Sequence, residues 1–251
     1  MSDEQSSDVI DQAAGLRYLF GNSTPPVHVL CCPSRHALTL PLADSLSKDL
    51  ANDGQTMMWV DEIALNDREH WPLPCTVKFD LSKCLEGHVA LSQGVTKLSP
   101  SLWYGLSLHT QRMARPGQTL AERLSGSGIR FDSIVISASA SHPETFVRYA
   151  AQLHMTAISG CTSEELQQTM AWMQQAQARC TAASWRLVLA GESDQLSHAE
   201  KWLSQTAKAH LSQDVQVLGS VSAARMNVPL AGAWVELPDL MGVLKRHLLV
   251  S

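Results

Sequence analysis

A chain of 251 residues, 45% of them hydrophobic and 17% charged, can bury one sizeable core and lies at the upper end of a single α/β domain. Its formal charge of -5 and scattered basic residues leave no electrostatic footprint for nucleic acid. The acidic start MSDEQSSDVIDQ lacks the features of a signal peptide, and no apolar run reaches the roughly eighteen residues of a membrane span, so a cytoplasmic protein is expected.

Taken in order, the first predicted element is a helix over residues 8–20, where Val9, Ala13, Leu16 and Phe20 recur at helical spacing. Gly21 to Pro26 stops it and forms a linker, which makes this helix separable from the rest of the chain. Val27 to Cys32 reads as a buried strand, Leu38 to Asn52 as a helix ended by Gly54, and Thr56 to Val60 as a second apolar strand. Together these form a strand, helix, strand unit of the length a parallel crossover needs.

From Asp61 to Thr110 the pattern breaks into short pieces: a strand or extended segment at 76–80, a short helix at 81–86 and a strand at 101–106. A helix at 119–125 precedes the clearest central strand, Phe131 to Ser137. Helices near 143–152, 163–179 and 194–211 then alternate with strands at 154–158, 184–190 and 215–218. The fold expected is α/β, a mainly parallel, doubly wound sheet flanked by helices.

The six cysteines stand at 31, 32, 75, 84, 161 and 180, without a C-x-x-C pair, and the ten histidines show no zinc-ligand spacing. Structural thiols and no metal are expected. Serine, histidine and aspartate are abundant, but no G-x-S-x-G elbow supports a hydrolase.

Two regions give the chain a resemblance to a known family. Asp11-Gln12-Ala13-Ala14-Gly15-Leu16-Arg17 is similar to the D-Q-A-x-x-L-R motif near the start of FlhG-type flagellar regulators, within the MinD/ParA ATPases. Strand 27–32, Trp59-Val60-Asp61-Glu62, Phe131 to Ile136 and Val217-Leu218-Gly219-Ser220-Val221 resemble, in order, that family's P-loop strand, acidic strand end, F-D-x-I-V-I-D strand and L-G-x-I segment. The resemblance implies a MinD/ParA-like domain over 27–235, preceded by a helix and linker over 1–26 and followed by an amphipathic helix over 236–251.

The resemblance also defines what is lost. A family ATPase cradles phosphate with a loop of the form G-K-G-G-x-G-K-[ST], whose backbone N–H groups face the anion while lysines offset its charge. Here that place reads Cys32-Pro33-Ser34-Arg35-His36-Ala37-Leu38-Thr39, without glycine or lysine. Pro33 has no N–H, and side chains obstruct the close approach that glycine permits. Arg35 and His36 remain as groups able to touch an anion, and Thr39 stands where the family's magnesium-binding hydroxyl belongs.

Ser137 replaces the aspartate that the pattern places at the end of its strand. Asp61 remains at the end of the second strand, open to two readings: a magnesium-associated carboxylate, or a residue that caps a loop or faces solvent. Phosphoryl transfer depends on positioning and electrostatic stabilisation, so these losses predict a pseudo-ATPase with no cofactor.

The ends then carry the expected function. In the 8–20 helix, Asp11, Gln12 and Arg17 supply polar groups that fix register, with Ala13 beside them, while Leu16 and Phe20 supply apolar anchors. In the family such a helix docks on FlhF, a GTPase of the signal-recognition type; the alternative is a helix packed on its own domain. At the other end Leu240, Met241, Leu244 and Leu248 share a face beside Lys245. This resembles a membrane-targeting helix, with peripheral contact at the inner membrane or cell pole, and the alternative is a last helix packed on the sheet. The expectation is a non-catalytic regulator of polar surface assembly. An ATPase with an unorthodox loop and a scaffold of pilus or secretion machinery stand as alternatives.

Overall fold

The computed structural model describes residues 24–35, 39–68, 71–108, 118–125, 129–180, 182–191, 193–211, 215–221 and 244–245. The 8–20 helix, His36, and Leu240, Met241 and Leu248 lie outside them.

Among the described residues one sheet has eight strands, in the order β3-β4-β2-β5-β1-β6-β7-β8. They are β1 (Val27–Cys31), β2 (Met57–Asp61), β3 (Thr96–Ser99), β4 (Leu102–Leu106), β5 (Ser133–Ser137), β6 (Leu153–Gly160), β7 (Ala182–Ala190) and β8 (Val215–Val221). β3 pairs antiparallel with β4, and every other pairing is parallel. The helices are α1 (Thr39–Asn52), α2 (Leu81–Leu85), α3 (Leu91–Gly94), α4 (Leu120–Ser125), α5 (Ser163–Arg179) and α6 (Ser193–Leu211).

The central strands β1, β2 and β5 are buried at every position, as strands covered on both faces must be. α1 lays Leu40, Leu42, Leu46 and Leu50 on one face, in a core shared with Leu30, Trp59, Val135, Ile158 and Val188. α2, α4, α5 and α6 cover the other face, where Phe146, Trp172 and Trp185 pack with Val29, Ile134 and Met155. Their rings meet edge to face, Trp172 lying 5.8 Å from Trp185.

Local signals set most boundaries. Gly54, at φ 89°, takes the left-handed position after α1. Thr162 and Glu165 close a reciprocal capping box on α5, each side chain bonding to the other residue's backbone N–H at 3.3 Å.

Four points differ from these expectations or add to them. β1 and β2 are parallel but not neighbours, because β5 inserts between them. The segment expected as a helix over 143–152 is a short 3-10 turn, Pro143–Arg148: β6 begins at Leu153, and the tighter turn delivers Arg148 and Tyr149 inward. Residues 76–80 join no ladder, whereas the edge strand β3 reads Thr-Lys-Leu-Ser, too polar for a strand signal.

Candidate functional site

The strands of this parallel sheet point their carboxyl ends to one edge. From β1 the chain turns toward β2 on one side, while β6, β7 and β8 build the other. The end of β1 is therefore the switch point where open α/β sheets bind ligands.

At that point the two ends of the loop after β1 are tied together. The backbone N–H of Cys32 donates to Thr39 Oγ1 at 3.1 Å, and the N–H of Arg35 donates to the Cys32 carbonyl at 3.3 Å. The Thr39 hydroxyl, 0% exposed, is thus turned to the loop backbone. Pro33 and Ser34 are half-buried and Arg35 exposed. Burial pushes the Cys31 thiol up, with Cys32 and Glu62 adding to it. Burial likewise raises Cys32 against its bond to Ser34, and Glu165 adds to the rise. These are protonated, inert thiols, on which Arg35 and Glu165 act with opposite signs.

Asp61 is completely buried, not solvent-facing. Arg68 Nη1 donates to its Oδ2 at 2.5 Å and Tyr104 OH to the same oxygen at 2.8 Å, while Oδ1 receives the N–H of Ile63 at 3.0 Å. The Asp61 and Arg68 side chains are 0% and 4% exposed. Ser137, also buried, receives Trp59 Nε1 at 3.0 Å and lies 3.4 Å from Asp61 Oδ1. The solvent-facing reading of Asp61 is corrected for a physical reason: an arginine seven residues downstream folds back and neutralises it. Its loop-capping part is visible in the bond from Ile63.

One residue further on, the chain passes to the other side of the sheet. Glu62 is 3% exposed and receives Arg148 Nη2 at 3.1 Å together with the Tyr149 hydroxyl; Arg148 also reaches Ser107 Oγ at 3.0 Å. Burial raises the Glu62 carboxyl above its usual range, against the pull of Arg148 and Tyr149. Burial and the neighbouring carboxylates also raise the phenols of Tyr149 and Tyr104, which keeps both as donors. Loops after β2, β4 and β5 are thereby tied together.

Sequence reasoning finds Asp61 and Ser137 but misses Glu62, Arg68, Tyr104, Ser107, Arg148 and Tyr149. Glu62 sits inside the Trp59-Val60-Asp61-Glu62 stretch, and a carboxylate following an apolar strand is the available signal. The arginines carry none in sequence, because only the fold brings Arg148 to Glu62. Among the described residues no group of three or more His, Cys, Asp or Glu is placed to hold a metal ion.

At the far end Leu244 and Lys245 lie in one helical turn. Leu244 is 1% exposed within the α1 half of the core, and Lys245 Nζ binds Asp53 at 2.8 Å and Asp49 at 3.7 Å. Both are therefore engaged by the domain. Among the described residues no helix is long and apolar enough to cross one.

Strand order, parallel pairing and switch point define the α/β fold of the MinD and ParA type. Solved structures share it: apo McdA from Cyanothece is 14% identical with a TM-score of 0.64, over 89% of this chain and 99% of that one. The cell division ATPase MinD of Pyrococcus furiosus is 13% identical with a TM-score of 0.55, over 88% and 99%. A plasmid partition protein of Borrelia burgdorferi bound to AMPPNP is 11% identical with a TM-score of 0.55, over 90% and 100%. No family description and no curated protein matches the sequence. At these identities the likeness defines the fold.

Proposed function

We propose that the chain is a non-catalytic regulator built on the MinD/ParA fold, acting by binding proteins and not by hydrolysing nucleotide. The observation that carries this reading is the state of the site: its first loop bonds to itself through Cys32 and Thr39, and both nearby carboxylates are held by arginines. A magnesium-nucleotide would have to displace Arg68 or Arg148 from a buried partner, beside a loop without glycine or lysine.

A partition or positioning role is the setting that the fold neighbours suggest; the MinD of Aquifex aeolicus is solved as a complex with MinC. Within that setting, the partner we propose is a GTPase of the signal-recognition type, engaged by the 8–20 helix through Asp11, Gln12, Leu16, Arg17 and Phe20. The support is the DQAAGLR motif, and the process is flagellar or other polar surface assembly.

Two measurements test the reading. ATP with magnesium should leave the melting temperature of the full chain unchanged, whereas occupancy at a hundredfold excess over Kd would add about 2.7 kcal/mol of stability. Titration of the full chain into such a GTPase should release heat that Leu16→Ala and Arg17→Ala reduce at least tenfold. Equal heats for all three chains would refute the assignment of the helix.

A further inference from the structure

Between β2 and α2 the chain runs past the carboxyl end of β4 as an extended stretch, residues 71–80, whose burial alternates from 71 to 78. Leu73, Cys75 and Val77 pack against the α1 half of the core, while Pro72, Pro74, Thr76 and Lys78 are exposed. Both ends of the stretch are fixed. Arg68 donates from Nε to the Trp71 carbonyl at 3.1 Å and from Nη2 to the Pro72 carbonyl at 3.3 Å. Asp80 receives the N–H of Ser82 and that of Leu108, each at 2.8 Å.

Between these ends the main chain is unpaired. Residues 73–79 carry an N–H at every position but Pro74, and among the described residues neither these groups nor their carbonyls bond to another backbone group. Main-chain groups in this state turn to water or to a second chain. Beside them lies an open groove of about 700 Å³, lined by Leu73, Val77 and Phe79 from this stretch and by Leu106 and Leu108 from the chain leaving β4. Phe79 is 39% exposed, an uncommon state for a large apolar side chain in this molecule. Lys78 lines the same groove, is exposed, and among the described residues forms no ion pair.

We propose that this groove binds an extended, acidic segment of a partner protein, with apolar side chains against Val77, Phe79, Leu106 and Leu108, a carboxylate at Lys78, and main-chain bonds to residues 73–79. Lys78 supplies the charge that selects an acidic segment, since the Asp80 carboxylate beside it is taken up by two N–H groups. A fatty acid matches the apolar lining and the lysine, but it has no N–H to offer and leaves the carbonyls of 73–79 unmet. A peptide supplies donors and acceptors together. Because Arg68 and Asp80 already hold the stretch at both ends, binding orders little of the domain. The groove is independent of the 8–20 helix and of the partner assigned to it.

Fluorescence anisotropy of the full chain with a labelled nonapeptide of alternating valine and glutamate tests this. The peptide should bind, and its counterpart with lysine in place of glutamate should bind about tenfold more weakly. Lys78→Glu should reverse that preference, and Phe79→Ser, at an exposed position, should weaken the first peptide about fivefold. Methylation of every second peptide nitrogen, in one frame or the other, should weaken it about tenfold by removing main-chain donors. No binding of the valine and glutamate peptide, equal binding of the two peptides, an unchanged preference in Lys78→Glu, or indifference to methylation in both frames would overturn the proposal. Displacement of the labelled peptide by dodecanoate at lower concentration than by the unlabelled peptide would overturn it in favour of a fatty acid.

Discussion

Two polar clusters are buried in this sheet, and they are built on opposite principles. At the carboxyl edge Asp61 and Glu62 each meet an arginine and a tyrosine, so every charge has an opposite one within hydrogen-bond reach. Across β1 and β6, His28 is buried with neither ring nitrogen paired, stacked on His154, and is tolerated because burial keeps it neutral. The first arrangement fails when a partner is removed; the second fails when a proton arrives.

The largest effect expected from breaking this contrast is at the paired cluster. Arg148→Met leaves Glu62 buried without its cation, and about 3–5 kcal/mol of stability should be lost, read from the urea midpoint at pH 7.5. Glu62→Gln combined with Arg148→Met should recover much of that loss, because no unpaired charge then remains. Equal losses in the single and double variants would show that packing, not charge, sets the cost.

Acid should separate the clusters next. Burial, then His154 and Arg186, hold the His28 pKa below its usual value of 6.5. The unfolded chain therefore takes up the proton first as the pH falls. This contribution is complete above about pH 6.5 and is lost as the pH drops toward the folded value. Urea midpoints at pH 7.5, 6.5 and 5.5 should decline, and His28→Leu should flatten the decline.

Smaller effects sharpen the contrast from outside both clusters. Thr162→Ala removes one half of the capping box on α5 and should cost about 1 kcal/mol, seen as a lower melting temperature. Lys245→Ala removes partly exposed pairs with Asp49 and Asp53 and should cost about 0.2–1 kcal/mol, less at high salt.

Long apolar runs make the fold legible. Val27 to Cys31, Ser133 to Ser137 and the capped 163–179 helix carry their signals within a few residues, and periodicity and caps suffice to read them. β3 and the 3-10 turn at 143–148 are not legible, since one is a polar edge and the other is shaped by where Arg148 must reach. In the site, the absence of glycine and lysine after β1 is plain from the residues themselves. The neutralisation of Asp61 and Glu62 is not, because pairing across 86 positions, as between Arg148 and Glu62, is a property of the folded chain.

The placement of β1 between β5 and β6 also bears on how the chain is made. Val27 and His28 leave the ribosome early, yet their neighbours Ile134 and His154 lie in strands about a hundred or more residues downstream. At about 5–20 residues per second, this fully buried strand waits roughly 5–20 seconds before it can be enclosed. During synthesis that segment is a natural landing site for a chaperone that holds exposed hydrophobic chain, and folding yield should depend on such protection more than on the order in which the helices form.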